Sequence, residues 1–191
     1  MQLLVLLILA AAPKPSAMVA ALERLPAAKG LSVAPAPGKD IIIDDKNGYL
    51  SITQHDPSSK ITSETVLALF STRTADKVWG LRSLQMEQST ATVRVTFYLQ
   101  HGQTFTDVTA EVLPVTVEDV LPPGHPPLPA CQHYDVELPR HGTTLTVKAP
   151  IEAGCFLLGL GPSGFDDWYQ ELGRAQKRFG WDPKEVVFVE K

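Results

Sequence analysis

The chain has 191 residues, 44% of them hydrophobic and 20% charged, enough apolar material for one packed domain and too much for a disordered chain. A formal net charge of −4 argues against nucleic-acid binding, which needs concentrated Lys and Arg to meet phosphates. The densest basic group, Arg174, Lys177 and Arg178, is accounted for by a helix C-terminus.

Met1 to Ala12 form an apolar run too short to span a bilayer and of the length of a signal-peptide core. This predicts a signal peptide over residues 1–17, cleaved after Ala17 or Ala21, and export to a periplasm or the medium. Two features run against the pattern: Lys and Arg are missing ahead of the run, and Pro13 follows the most obvious Ala-x-Ala site. The alternative is a buried N-terminal strand or helix. With no Cys near the end of the run, a lipoprotein anchor is not supported, and no stable transmembrane span is expected. Residues 18–191 are expected to form a single α+β domain.

Met18 to Leu25 suit a short helix ended by Pro26, and Ala34 to Gly38 a linker. Ile41 to Ile43 and Tyr49 to Ile52 flank Asp44-Asp45-Lys46-Asn47-Gly48, whose Asn-Gly marks a hairpin turn. The same acidic loop invites a calcium reading. Aligning Gly48 with the sixth EF-hand position puts Ile43 first and Gln54 twelfth, where carboxylates are required, so no metal is expected. His55-Asp56 could form the acid–base pair of a hydrolase, but Pro57-Ser58-Ser59 reads as turn chemistry. Ser58, Ser59 and Ser63 lack a nucleophile-elbow pattern.

Val66, Leu67, Leu69 and Phe70 predict a helix over Ser63 to Phe70. Trp79 to Met86 reads as a strand. The clearest strand follows, with Ala91, Val93, Val95, Phe97 and Leu99 alternating with polar residues. His101-Gly102-Gln103 is a turn, and Thr104 to Val112 the next strand. The proline-rich connector at 121–130 can be neither helix nor central strand, because proline lacks the ladder donor.

Tyr134, Val136 and Leu138, then Leu145, Val147 and Ala149, alternate on either side of Pro139-Arg140-His141-Gly142 and predict a hairpin with Leu138 opposite Leu145. Cys131 and Cys155 lie just beyond its open ends. An even cysteine count in an exported chain reads as one disulfide, worth roughly 3 kcal/mol, the alternative being two buried thiols. Cys131 and His133 lack a second ligand pair at zinc spacing. His101, His125 and His141 fall in turns or the connector and are expected in solvent.

Phe165, Trp168, Tyr169, Leu172, Ala175 and Phe179 fall at helical spacing, with Asp166 and Asp167 in the first turn, Lys177 and Arg178 in the last, and Gly180 as a stop. This predicts an amphipathic C-terminal helix. A turn at Asp182-Pro183 and a final strand over Val186 to Val189 follow. The late aromatics are expected in the core, with Trp181 the one exposed.

GLGPSG at Gly159 to Gly164, between an apolar run and that helix, resembles the first βαβ unit of Rossmann-type FAD- or NAD-binding proteins, in the variant of some flavin-dependent monooxygenases. The resemblance covers about 36 residues. It implies that Gly159, Gly161 and Gly164 would approach a pyrophosphate and Glu190 would hold a ribose. Several features oppose it. Glu190 lies beyond the usual spacing, Asp166 and Asp167 put negative charge where an anion would sit, and Phe165 and Trp168 replace small packing residues. Nothing after Glu190 would build further parallel strands. Ser163 as N-cap with Asp166 three residues on accounts for the same residues, so no cofactor is expected.

The expected fold is therefore α+β, a mostly antiparallel β-meander sheet with two or three packed helices. The expected function is a small exported, non-catalytic domain that binds a protein or envelope partner, possible forms being an inhibitor or an immunity-like protein. The alternatives are a nucleotide-binding fragment over Gly159 to Glu190, or a hydrolase using His55 and Asp56.

Overall fold

Segments in which apolar residues alternate become strands because period two places one set of side chains on each face of a sheet. The computed structural model describes residues 16–56, 58, 60–87, 90–121, 134–149 and 175–191. Six strands, β1 (Lys39–Asp44), β2 (Tyr49–Asp56), β3 (Ile61–Ser71), β4 (Lys77–Glu87), β5 (Thr90–His101) and β6 (Thr104–Asp107), pair antiparallel in chain order. A second antiparallel sheet contains β7 (Asp135–Glu137), β8 (Thr144–Lys148), β9 (Gln176–Asp182) and β10 (Val187–Glu190), in the order β10-β9-β8-β7. The helices described are short: α1 (Ala17–Leu22), α2 (Thr109–Val112), α3 (Val117–Val120) and a 3₁₀ turn at Pro26–Ala28. The chain is thus a β-rich, mostly antiparallel α+β fold, with two sheets where the sequence predicted a single meander.

The six-stranded sheet is covered on both faces. Met18, Ala21, Leu22, Leu25 and Ala28 lie against Leu50, Ile52, Leu67, Trp79, Leu81 and Tyr98. On the opposite face Val66, Ala68, Phe70, Val78 and Phe97 meet Val136, Leu145, Val147, Phe179, Trp181 and Phe188 of the second sheet, joined by α2 and α3. An aromatic cluster sits between the sheets. Phe188 stands edge-on to Phe70 with centroids 4.9 Å apart and lies 4.9 Å from Trp181.

Double-sided burial explains the first correction. The predicted helix over Ser63 to Phe70 lies inside β3, which pairs along its length with both β2 and β4. A strand buried on both faces is apolar at consecutive positions, and Val66-Leu67-Ala68-Leu69-Phe70 therefore imitates the spacing of a helix face.

The predicted amphipathic C-terminal helix also needs correction. Residues 150–174, with Phe165, Trp168, Tyr169 and Leu172, lie outside the described residues, but Gln176 to Phe179 belong to β9. Phe179 and Trp181 alternate as well as they fit a helix. Pairing of β9 with β8 on one side and β10 on the other decides between the two periods. Gly180 is a strand residue here, not a helix stop. Trp181, predicted exposed, is 8% exposed, and its indole N–H donates to the Ser71 carbonyl at 2.7 Å. The predicted strand over Thr104 to Val112 stops at Asp107. Its carboxylate accepts from the Thr109 backbone at 3.0 Å and hydroxyl at 2.6 Å, turning the chain into α2.

Other expectations hold. The Asp44–Gly48 hairpin forms with Asp44 opposite Tyr49, and Trp79 to Met86 and Thr90 to Leu99 are strands. Val136 pairs with Val147, the register that sets Leu138 against Leu145. The predicted N-terminal helix forms as α1 but stops at Leu22, before Leu25, and the 3₁₀ turn begins at Pro26, the predicted stop. The connector from residue 122 onward and both cysteines lie outside the described residues.

Two glycines are dictated by space. Gly48 has φ +64°, and a Cβ there would come within 2.8 Å of Leu69 Cβ. Gly80, in the middle of β4, faces the second sheet, where a Cβ would meet Phe97 Cε1 at 2.9 Å, Leu138 Cδ2 at 3.1 Å and Phe70 Cε2 at 3.3 Å. The two rings are held among other aromatics and have little room to move. Gly80→Ala is expected to destabilise the fold by about 1–3 kcal/mol through overpacking, read as a lower urea midpoint at unchanged slope.

Candidate functional site

Among the described residues, most of the polar side chains singled out by sequence are engaged in local structural contacts. His55 and Asp56 occupy consecutive positions at the end of β2, so their side chains leave opposite faces of the sheet. His55 Nδ1 lies 3.1 Å from Thr62 Oγ1, while Asp56 Oδ1 accepts from the Ser58 backbone at 2.9 Å and hydroxyl at 2.6 Å. The two are not brought together as an acid–base pair.

The acidic loop is likewise committed. Asp44 accepts from the Asn47 amide side chain at 2.9 Å and from Arg140 Nε at 3.3 Å. Hydrogen bonding from Asn47, helped by Arg140, holds its carboxyl below the usual aspartate range. Asp45 Oδ1 accepts from the Ser16 hydroxyl at 2.8 Å and the Met18 backbone at 3.1 Å, tying α1 to the β1–β2 turn. Among the described residues no group of three His, Cys, Asp or Glu side chains is placed to hold a metal ion. His101 is exposed and hydrogen-bonds Asp76 at 2.7 Å, and His141 is exposed.

Gly159, Gly161 and Gly164 lie outside the described residues, as do Cys131, His133 and Cys155. Glu190 is described. It ends β10, pairs with Lys177 at 3.1 Å, and stands in a strand antiparallel to β9. The Rossmann-type resemblance implied a parallel strand after a helix, and β10 instead follows β9 through a tight turn at residues 183–186.

Sequence reasoning missed the main polar feature between the sheets. Arg82 on β4 is buried on the face toward the second sheet, its guanidinium gripping Asp135 of β7 through Nε at 2.7 Å and Nη2 at 2.9 Å. Its Nη1 donates to Glu64 on β3. Burial opposes the charge, but Asp135 and Glu64 more than compensate, raising the pKa of Arg82 so that it stays protonated. The clamp borders a cleft of about 360 Å³ lined in part by Tyr49, Glu64, Glu137 and Thr146. Since Nε, Nη1 and Nη2 all face carboxylates, the guanidinium is spent on joining the sheets and is not offered to an anion. A visible clue was a charged residue in phase with Val78 and Gly80 on an otherwise apolar strand face. Glu64, its partner across the strands, was hidden by the mistaken helix.

The other missed feature is a sheet edge. Among the described residues β1 borders the six-stranded sheet with β2 on one side only. His55 N–H donates to the Gly38 carbonyl at 2.8 Å, extending the β1–β2 ladder by one hydrogen-bonded pair. Antiparallel alternation then directs the backbone groups of Asp40, Ile42 and Asp44 to β2 and turns those of Lys39, Ile41 and Ile43 outward. Lys39 N–H is taken by the Ala36 carbonyl at 3.1 Å. Ile42 is 43% and Ile43 44% exposed, on opposite faces of the strand. With six residues, β1 is the longest of the four edges formed by the described residues; β6 and β10 have four and β7 three.

Comparison with known proteins finds no matching family model, no matching curated protein and no matching solved structure. Among the described residues no helix is long and apolar enough to cross a membrane.

Removing the clamp tests its structural weight. Arg82→Leu leaves Glu64 and Asp135 at the border of the inter-sheet core without their counter-charge and, since both acids keep some solvent contact, is expected to cost about 1–3 kcal/mol. The double variant Arg82→Leu, Asp135→Leu should recover part of that loss in a denaturant melt, since Arg82 goes together with the acid it grips through two hydrogen bonds and only the half-buried Glu64 is left unpaired.

Proposed function

We propose that this chain is an exported, non-catalytic domain that binds an extended polypeptide by strand addition along β1. The observation that carries the reading is the outward-facing N–H and C=O groups of Ile41 and Ile43 on an edge whose side chains at Ile42 and Ile43 remain half in solvent. Such an edge is a template for another strand: main-chain bonds supply affinity and alternate side chains supply selectivity. Proteins commonly blunt exposed edges with proline, bulges or a covering element. β1 contains no proline, and α1 is tied to the turn after β1 through Asp45 while Ile41 packs partly buried against the core beneath α1.

Selection of a random peptide library against the full chain tests the reading. Enriched peptides should lose binding to Ile43→Pro, which deletes one outward N–H while sparing the ladder to β2, at a melting temperature close to that of the parent. Binders indifferent to Ile43→Pro, or no binders, would falsify strand addition at this edge.

Export rests on the apolar run from Met1 to Ala12 and the small residues after it. Of the two sites, Ala17 suits the packing better. Met18 and Ala21 are 1% and 6% exposed in the core beneath α1, so cleavage after Ala21 would strip both away. Cleavage after Ala17 keeps them and leaves the new Met18 ammonium beside the Asp45 carboxylate that its backbone nitrogen already meets at 3.1 Å. The intact mass of exported protein is expected to correspond to a chain starting at Met18; a start at Leu22 would contradict this, and an uncut chain recovered outside the cell would contradict a cleaved leader.

A further inference from the structure

Resting on the strand-addition reading, the pattern along β1 narrows the partner. We infer that the edge takes an extended segment of another protein in which β-branched or other apolar residues lie opposite Ile41, Ile42 and Ile43 and a lysine or arginine lies opposite Asp40. Asp40 is exposed, two positions from Ile42 on the same face, and among the described residues it makes no ion pair or side-chain hydrogen bond. Its neighbours are committed: Asp44 to Asn47 and Arg140, Asp45 to Ser16 and Met18, and the Lys39 ammonium to the Ser32 carbonyl. Asp40 is therefore the acid along this edge left for an incoming strand to neutralise. Opposite charges directly across two strands attract and like charges repel, so a basic residue at that position gains twice over an acidic one.

The same pattern disfavours a second copy of this chain. A two-fold axis normal to the sheet pairs β1 with itself only in registers that keep each face in common. Centred on Ile42, the pairing would oppose Asp40 and Asp44 twice. Centred on Ile41, it would set Asp40 against Ile42 and diagonal to its own copy. Both place acids close together at the join, whereas a foreign strand can place a base there.

The test uses the full chain with two synthetic peptides, each three valines flanked on both sides by lysine or on both sides by glutamate, followed by hydrogen exchange at the Ile41 and Ile43 amides and by affinity. The lysine peptide is expected to slow exchange at both amides and to bind about tenfold more tightly at low salt, the difference shrinking as salt is added. Asp40→Asn should erase the preference and Asp40→Lys reverse it, at unchanged melting temperature. If both peptides protect the two amides equally, strand addition stands and the basic partner is overturned. If neither protects them, strand addition itself is overturned. Protection before any peptide is added would overturn both statements, at low protein concentration by showing that another segment of this chain covers β1, and only at high concentration by showing that a second copy does.

Discussion

Burial of the middle strands of the meander from both sides is the constraint that organises this protein. β3 and β4 present apolar side chains on each face, so neither can rest against a single layer with the other face in water. One side is closed by α1 and the turn after it, the other by the four-stranded sheet. Each closing element is small. Neither a six-residue helix nor a sheet whose longest strand has seven residues would persist without the surface it covers. The layers are consequently interdependent, and the hydrophobic term that holds them is shared across the sheet.

Specific contacts then fix how the layers meet. Gly80 opens the only kind of gap that lets Leu138 and the rings of Phe70 and Phe97 approach the backbone of β4. Arg82, two positions on along the same face, supplies direction where apolar packing has none, since a planar fork matched to the Asp135 carboxylate admits one angle of approach. On the other face the β1–β2 turn reaches α1 through Asp45, so a surface loop doubles as an anchor for a core helix.

How far the sequence disclosed this arrangement depended on whether a segment had one wet face. β5 and the hairpin of Val136 and Val147 alternate cleanly and were placed correctly, the latter in register, because polar residues mark the solvent side. β3 has no wet face over Val66 to Phe70, and its pattern collapses into the spacing of a helix. Residues Gln176 to Phe179 failed for a related reason: a short stretch satisfies both periods, and only pairing with β8 and β10 decides. The clamp of Arg82, Glu64 and Asp135 spans elements far apart in the chain, so local spacing could not reveal it. The edge at β1 was present in the sequence as three isoleucines beside a turn. Its exposure depends on strand order, which no local pattern encodes.

The two tryptophans among the described residues sit on opposite sides of the six-stranded sheet. Trp79 lies under α1 with its indole N–H on the Gln100 side chain at 2.7 Å, and Trp181 lies between the sheets with its indole N–H on Ser71. Each ring therefore samples a different interior, buried in both cases but bounded by a different neighbour. In a Trp168→Phe background these two tryptophans become optical probes, one per interior, whose emission would separate loss of the helical cover from parting of the sheets.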